Sequence, residues 1–309
     1  MLGGRDLSVL GGISEDLLVS TSIGHQIGGE THTALLDSLV KTNVLQDGCR
    51  TEQAMRQVDR GNFVLPSVDK ADVYQNRPLK IGVVATISTP QQHAQVIGML
   101  EKHLQPGMTA LDVGSGSGYL VAVMAHMVGA RGNVTGIDIV PELVEFSRDN
   151  LERTLPTELL GRVEVIQSGG KRMPITPEKH QYDCIHVGVA VETKQEAESY
   201  LDFLKPGGGL LIPLGFANAE QKLVKMTKDS EGNVEKVDVM SVLCQPMLDD
   251  VPVAVIRETH AEKLQRLENA LKKWREEFEQ KYGKKPSRDD LQQDPVAKAL
   301  FQEYASLRK

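Results

Sequence analysis

Residues 109–119 read Thr-Ala-Leu-Asp-Val-Gly-Ser-Gly-Ser-Gly-Tyr, and the fold follows from how this stretch is read. An apolar run, TALDVG over 109–114, ends in glycines at every second position (Gly114, Gly116, Gly118), and a helical pattern follows over 118–129. Glycine allows a tight turn and leaves no side chain between the backbone and a ligand, so a nucleotide-like cofactor can lie against such a loop. The spacing is G-x-G-x-G behind an acid, Asp112. The dinucleotide fingerprint is instead G-x-G-x-x-G, with its pyrophosphate on the helix terminus. A carboxylate at this strand end repels a pyrophosphate but suits an ammonium group. The next run ends in Thr135-Gly-Ile-Asp138, and a carboxylate there can accept both hydroxyls of a ribose. An ammonium group and a ribose in one ligand point to S-adenosylmethionine as cofactor.

Outward from the loop one theme repeats: β-branched runs closed by Gly or Asp, each followed by a helical stretch. The runs are NVTGIDI at 133–139, RVEVIQ at 162–167, YDCIHVGVA at 182–190 and GLLIPLG at 209–215, with helical patterns over 141–154 and 192–204. Apolar strands alternating with helices predict an α/β fold: a doubly wound, Rossmann-like parallel sheet covered on both faces. Gln221–Thr227 and Val234–Leu243 flank a polar turn and predict an antiparallel hairpin added to it. Two short helices, from Thr33 and from Thr51, precede a loop and strand over 70–87 and a helix over 90–104. Residues 1–26 read as a Gly-rich extension with a short Leu17-Leu18-Val19 run, 27–250 as the folded α/β body and 251–309 as a helical appendage. In the appendage Leu264, Leu267, Leu271, Trp274 and Phe278 line one helical stripe that Gly283 ends. Ser287 with Asp290, and Asp294-Pro295, mark the starts of two further helices. A hairpin folded onto itself or onto the body fits this pattern better than a coiled-coil seam, which would span fewer than three heptads.

Of 309 residues, 40% are hydrophobic and 25% charged, which is ordinary globular composition. The formal net charge is −7. Residues 251–309 carry thirteen basic against ten acidic side chains, so the rest of the chain stands at −10, a poor match to a phosphate backbone. No apolar run approaches the ~20 residues of a membrane span. Cys49, Cys184 and Cys244 are too few and too far apart to staple a fold or cage a metal. The expectation is a cytoplasmic chain that binds no metal, nucleic acid or membrane. Cys184 and Cys244 are expected to be small buried hydrophobes, His186 a hydrogen-bonded structural histidine inside its strand, and Lys171-Arg172 a solvated loop.

Several segments resemble the protein-L-isoaspartate O-methyltransferases in one register over residues ~27–250. They are Tyr74-Gln-Asn-Arg-Pro78 with Ile81-Gly82; Ala85-Thr-Ile-Ser88 with Pro90, His93 and Ala94; Leu111–Gly118; Gly136-Ile-Asp138; Tyr182-Asp-Cys-Ile-His-Val-Gly188; and the Leu204-Lys-Pro-Gly-Gly208 turn. The Ala-Thr-Ile-Ser-x-Pro element is the specific one, because generic methyltransferases share the glycine loop and the Lys-Pro-Gly-Gly turn without it. The resemblance implies methyl transfer from S-adenosylmethionine to the α-carboxylate of L-isoaspartyl residues in damaged proteins, with D-aspartyl residues as a second substrate class. The ester then collapses to a succinimide, whose hydrolysis returns some normal aspartate. It implies that Ala85, Thr86, Ile87 and Ser88 bridge cofactor and substrate, with Ser88 in the catalytic role. It also places His93, Asp112, Gly114, Gly116, Gly118, Asp138, Gly169 and Gly170 against the cofactor. The partners implied are isoaspartyl-containing peptides and proteins, and the C-terminal helices are the segment open to a further protein partner.

The chain departs from the family pattern in three places. Ser168-Gly-Gly-Lys171 replaces Gly-Asp-Gly-Arg, so Gly169 stands where the family has the acid that accepts from the adenine amino group. Val189-Ala-Val-Glu192 replaces Ala-Ala-Ala-Pro, and Gln245-Pro-Met-Leu248 replaces Val-Pro-Leu-Thr. Losing one charged hydrogen bond costs ~1.5–3 kcal/mol of cofactor affinity. These departures define the rival reading, a catalytically weak or inactive methyltransferase-like module that binds peptide or protein partners. A nucleic-acid or small-molecule methyltransferase is the remaining alternative. The chain contains neither the Pro-Pro expected of exocyclic-amine enzymes nor the Pro-Cys of cytosine-C5 enzymes.

Overall fold

The computed structural model describes residues 22–82, 85–168, 173–216, 219–251 and 260–307. The Leu17-Leu18-Val19 run, Gly169, Gly170 and Lys171-Arg172 lie outside the described residues. The chain divides into two units between residues 251 and 252.

In the first unit, helices α1 (His32–Lys41) and α2 (Arg50–Gln57) are followed by a short 3-10 turn (Arg60–Phe63) and α3 (Lys70–Val73). The two-residue strands β1 (Leu79–Lys80) and β2 (Thr86–Ile87) pair antiparallel. Then come α4 (Pro90–Leu100), β3 (Thr109–Val113), α5 (Tyr119–Val128), β4 (Asn133–Asp138), α6 (Pro141–Thr154), α7 (Thr157–Leu160), β5 (Val163–Gln167), β6 (Tyr182–Val187), α8 (Lys194–Ser199), β7 (Leu204–Leu214), β8 (Gln221–Lys228) and β9 (Val234–Val242). The sheet order is β5-β4-β3-β6-β7-β8-β9, with β3 to β7 parallel and β8 and β9 antiparallel. This is the doubly wound sheet with its added hairpin. The chain steps outward from β3 to β4 and β5, then returns to place β6 on the other side of β3. The order therefore reverses between β3 and β6, and ligands of open α/β sheets bind beyond the carboxyl ends of such a pair.

Burial follows composition. In α5 every residue except His126 is buried, as its run YLVAVMAHMV requires of a helix apolar on all sides. Helix α6 is amphipathic and turns Leu143, Val144, Ser147, Asn150 and Leu151 inward. Two differences from the sequence reading have local causes. The helix expected over 90–104 ends at Leu100 and tightens into a 3-10 turn over Glu101–His103. The Lys-Pro-Gly-Gly turn lies inside β7, which starts at Leu204. Tyr182 pairs with Leu204 but Cys184 with Gly209, so the segment bulges out of the ladder, with Gly207 at φ +82°.

At the amino end of the sheet the family-like Tyr-Asp and Lys-Pro segments meet. Asp183 Oδ2 accepts from the Thr109 backbone N–H at 2.8 Å, from Thr109 Oγ1 at 2.9 Å and from Lys205 Nζ at 2.8 Å. Burial alone would raise this carboxyl's pKa, but the Lys205 and Thr109 donors outweigh it and hold it below the ordinary aspartate value. A depressed folded pKa contributes stability above the unfolded pKa, and that stability is lost as pH falls through the folded one. Asp183→Asn is therefore expected to cost about 1–2 kcal/mol at neutral pH. In denaturant titrations the gap from wild type closes as pH drops below the aspartate range.

In the second unit α9 (His260–Tyr282) is followed by α10 (Arg288–Gln293) and α11 (Pro295–Leu307). Ser287 and Asp290 form a reciprocal capping box. Asp294 caps α11 by accepting from Val296 and Ala297, and its other oxygen accepts from Trp274 Nε1 at 2.8 Å. Tyr304 donates to Glu268 at 2.7 Å, so the last helix folds back along the first. No helix among the described residues is long and apolar enough to cross a membrane.

Candidate active site

The glycine loop is held from below and from the side. Gly114 and Ser115 donate to the Ile137 carbonyl at 2.8 and 3.0 Å, which ties the loop to the end of β4. Asn150 of α6 donates to the Ser117 carbonyl at 3.0 Å. Gly118 has φ +82°, and a Cβ there would sit 2.4 Å from Ser147 Oγ. Gly118 lines none of the cavities described below. Close packing of the loop on α6 accounts for a glycine at this position.

Asp138 ends β4 almost fully buried. Its Oδ2 accepts from the Gly116 backbone N–H at 2.9 Å and its Oδ1 from that of Val140 at 3.0 Å. Burial raises the carboxyl's pKa, and these N–H donors offset part of that effect. Each oxygen keeps further acceptor capacity. Asp112, on the neighbouring strand, is 2.7 Å from His186 Nδ1, and both side chains are buried.

The Ala85–Ser88 segment is folded over the loop. Ile81 donates to the Ala85 carbonyl at 3.0 Å, and β2 pairs back on β1. Thr89 then caps α4 by accepting from Gln92, with Pro90 at the first helical position. This cap directs His93 inward, where its ring stacks on Tyr119 at 4.8 Å and 29°. Burial first, with the nearby Arg60 guanidinium, holds the His93 pKa well below its ordinary value, so the ring is neutral at physiological pH. Its Nδ1 is buried without a partner.

Three cavities meet here, sharing Thr86, Gly188 and Cys244 in their walls. A small one, about 70 Å³, lies among Ser88, His93, Asp112, Gly114 and His186, with Ile87 in its wall. A second, about 690 Å³, runs past Gly116 and Asp138 to an apolar end at Val140, Leu143, Met173 and Val189, with Ala85 along it. The third, about 380 Å³, opens outward from Ser88 between Asn76, Gln91 and the 240–245 segment. That segment is fixed across the carboxyl end of β6, where Ala190 donates to Gln245 and Met247 donates to Ala190. Sequence reasoning missed Cys244, which lines all three cavities. It is only partly exposed, and burial pushes its thiol up to about 11, so it is an uncharged wall group.

The second cavity's volume suits a nucleoside, with an acid at its sugar-sized middle and an apolar end for a base. The small cavity offers a carboxylate to an ammonium group and an unpartnered His93 nitrogen to a carboxylate. A bridging hydroxyl segment over a glycine cradle completes an S-adenosylmethionine-dependent methyltransferase. Comparison with known proteins gives the particular family. Residues 30–251 match the family described as protein-L-isoaspartate(D-aspartate) O-methyltransferase, and the chain belongs to it. It is 43% identical over 195 residues to protein-L-isoaspartate O-methyltransferase 1 of Arabidopsis thaliana, covering 63% of this chain and 82% of that one. It is 37% identical over 220 residues to the protein-L-isoaspartate O-methyltransferase of Caenorhabditis elegans, covering 71% and 93%. A crystal structure from Plasmodium falciparum, assigned as a protein-L-isoaspartate O-methyltransferase in complex with S-adenosyl-L-homocysteine, superposes with a TM-score of 0.62 at 30% identity, covering 71% of this chain and 99% of that one. Residues 264–309 separately match a family described as DNA replication and checkpoint protein.

Proposed function

We propose that this chain methylates the α-carboxylate of L-isoaspartyl residues in peptides and proteins, using S-adenosylmethionine, and so initiates their return to aspartate through a succinimide. The observation that carries the reading is the placement of Thr86 and Ser88. Thr86 borders all three cavities, and Ser88 borders the small inner one and the outward cleft. When bound, the cofactor supplies a methyl group on a sulfonium.

The protein's own work is positioning. An α-carboxyl has a pKa of about 3.3–3.7, so the substrate oxygen is ionised at neutral pH and needs no general base. Ser88, half-buried at the junction, donates to one carboxylate oxygen and leaves the other free to react; Thr86 stands beside it. Asp138 accepts the ribose hydroxyls, Asp112 faces the ammonium group and His93 faces the cofactor's carboxylate. Asn76 and Gln91, joined by an Nδ2–Oε1 hydrogen bond of 2.9 Å, form one wall of the peptide cleft. The three free cysteines suit a cytoplasmic site of action.

Mass spectrometry of an isoaspartyl peptide incubated with the protein and S-adenosylmethionine tests this reading. The expected sequence is a product one methyl group heavier, then the succinimide, then a mixture containing normal aspartyl peptide. An unchanged peptide, from protein that binds S-adenosylhomocysteine, would favour the rival reading of a binding module.

A further inference from the structure

We infer that His186 is a positioning residue for the amino-acid end of the cofactor, acting through Asp112. The inference rests on the proposed reading in which Asp112 faces the cofactor's ammonium group. Asp112 of β3 and His186 of β6 are register partners on the two strands where the sheet order reverses. Their side chains leave the same face of the sheet at the same height and meet, with Nδ1 2.7 Å from Oδ1. The His186 side chain is 8% exposed and that of Asp112 2%. An ionised carboxylate only accepts, so Nδ1 carries the proton and donates. A Cβ on Gly188 would stand 3.3 Å from His186 Cε1, so glycine at 188 leaves the ring its place beside Asp112. Both residues line the small cavity beneath the glycine loop.

Two consequences follow for the carboxylate. Among the described residues His186 is the one side chain hydrogen-bonded to Asp112, and that bond sets which way the carboxylate is turned. With Oδ1 occupied, Oδ2 is the oxygen left for a ligand in the cavity that both residues line. A buried carboxylate without a partner is costly, and His186 supplies that partner before any ligand arrives. The acid is thus held in its binding orientation in advance, which lowers the ordering cost when a cation docks.

Calorimetric titration with two ligands separates this role from a general structural one. S-adenosylhomocysteine carries the amino-acid end, and 5′-methylthioadenosine keeps the nucleoside and lacks that end. His186→Leu is expected to weaken S-adenosylhomocysteine about ten-fold and leave methylthioadenosine unchanged. His186→Asn, whose amide nitrogen can take the place of Nδ1, is expected to stay close to wild type for both. In an Asp112→Asn background, where no carboxylate is stranded, His186→Leu is expected to add no further loss. If leucine alone unfolds the chain, His186→Gln, which carries its amide one carbon too far, replaces it with the same expected selective loss. Equal losses for both ligands, or a full loss persisting in the Asp112→Asn background, would overturn the inference. An Asp112→Asn variant that binds both ligands as wild type does would instead remove the reading of Asp112, and the role of His186 with it.

Discussion

Asp138→Ala is expected to weaken S-adenosylhomocysteine binding on the order of a hundred-fold, the largest loss of affinity for any single side chain at this site. The carboxylate does two things at once. In the proposed site it offers acceptors to a ribose, and it already holds the Gly116 and Val140 backbone N–H groups at 2.9 and 3.0 Å. Alanine removes the proposed ribose acceptors and also unties the middle of the glycine loop from the end of β4. Asp138→Asn separates the two effects. It keeps the side chain's volume and one acceptor, so it is expected to bind between wild type and alanine. Calorimetry on all three proteins checks the order. An alanine variant that binds within about two-fold of wild type would remove Asp138 from the ribose.

Ser88→Ala is expected to act on turnover and leave cofactor affinity intact. Ser88 stands at the junction of the inner cavity and the outward cleft, while Ala85, Thr86 and Ile87 line the two inner cavities proposed for the cofactor. One hydrogen bond to a charged group is worth ~1.5–3 kcal/mol, so kcat should fall about ten- to a hundred-fold. Steady-state rates on an isoaspartyl peptide, with S-adenosylhomocysteine affinity measured on the same protein, give the split. Full activity would transfer the carboxylate-orienting role to Thr86 or to backbone donors.

The parts of this site that are legible in the sequence share a physical cause. Strands buried on both faces must be apolar throughout, and their ends must break, so TALDVG and NVTGID announce both the sheet and its ligand-binding edge. The polar strand-end residues Asp112 and Asp138 stand out against that background. The short elements at 60–63 and 70–73 were not legible. They are single turns set by the Asp59 and Asp69 caps and have no periodicity to read. The Lys-Pro-Gly-Gly bulge reads as a turn because its composition is that of one, and only pairing with β6 shows that the strand continues through it. The Asp112–His186 contact has a signal in the spacing. Both residues stand two positions before a strand-end glycine, Gly114 and Gly188, and two parallel neighbours with equal offsets place such residues side by side. Cys244 gave no signal at all. It reaches the cavities because Gln245–Met247 crosses back over β6, a contact between residues some 55 positions apart.

In the proposed function Ser88 orients the α-carboxylate of an isoaspartyl residue for methyl transfer. Two synthetic peptides of one sequence, differing only in an isoaspartyl or an aspartyl linkage, test it most directly when labelled methyl transfer from S-adenosylmethionine is followed as an initial rate. Base-labile label on the isoaspartyl peptide alone is the predicted result. Equal labelling of the two peptides, or no label on either at saturating cofactor, would contradict it.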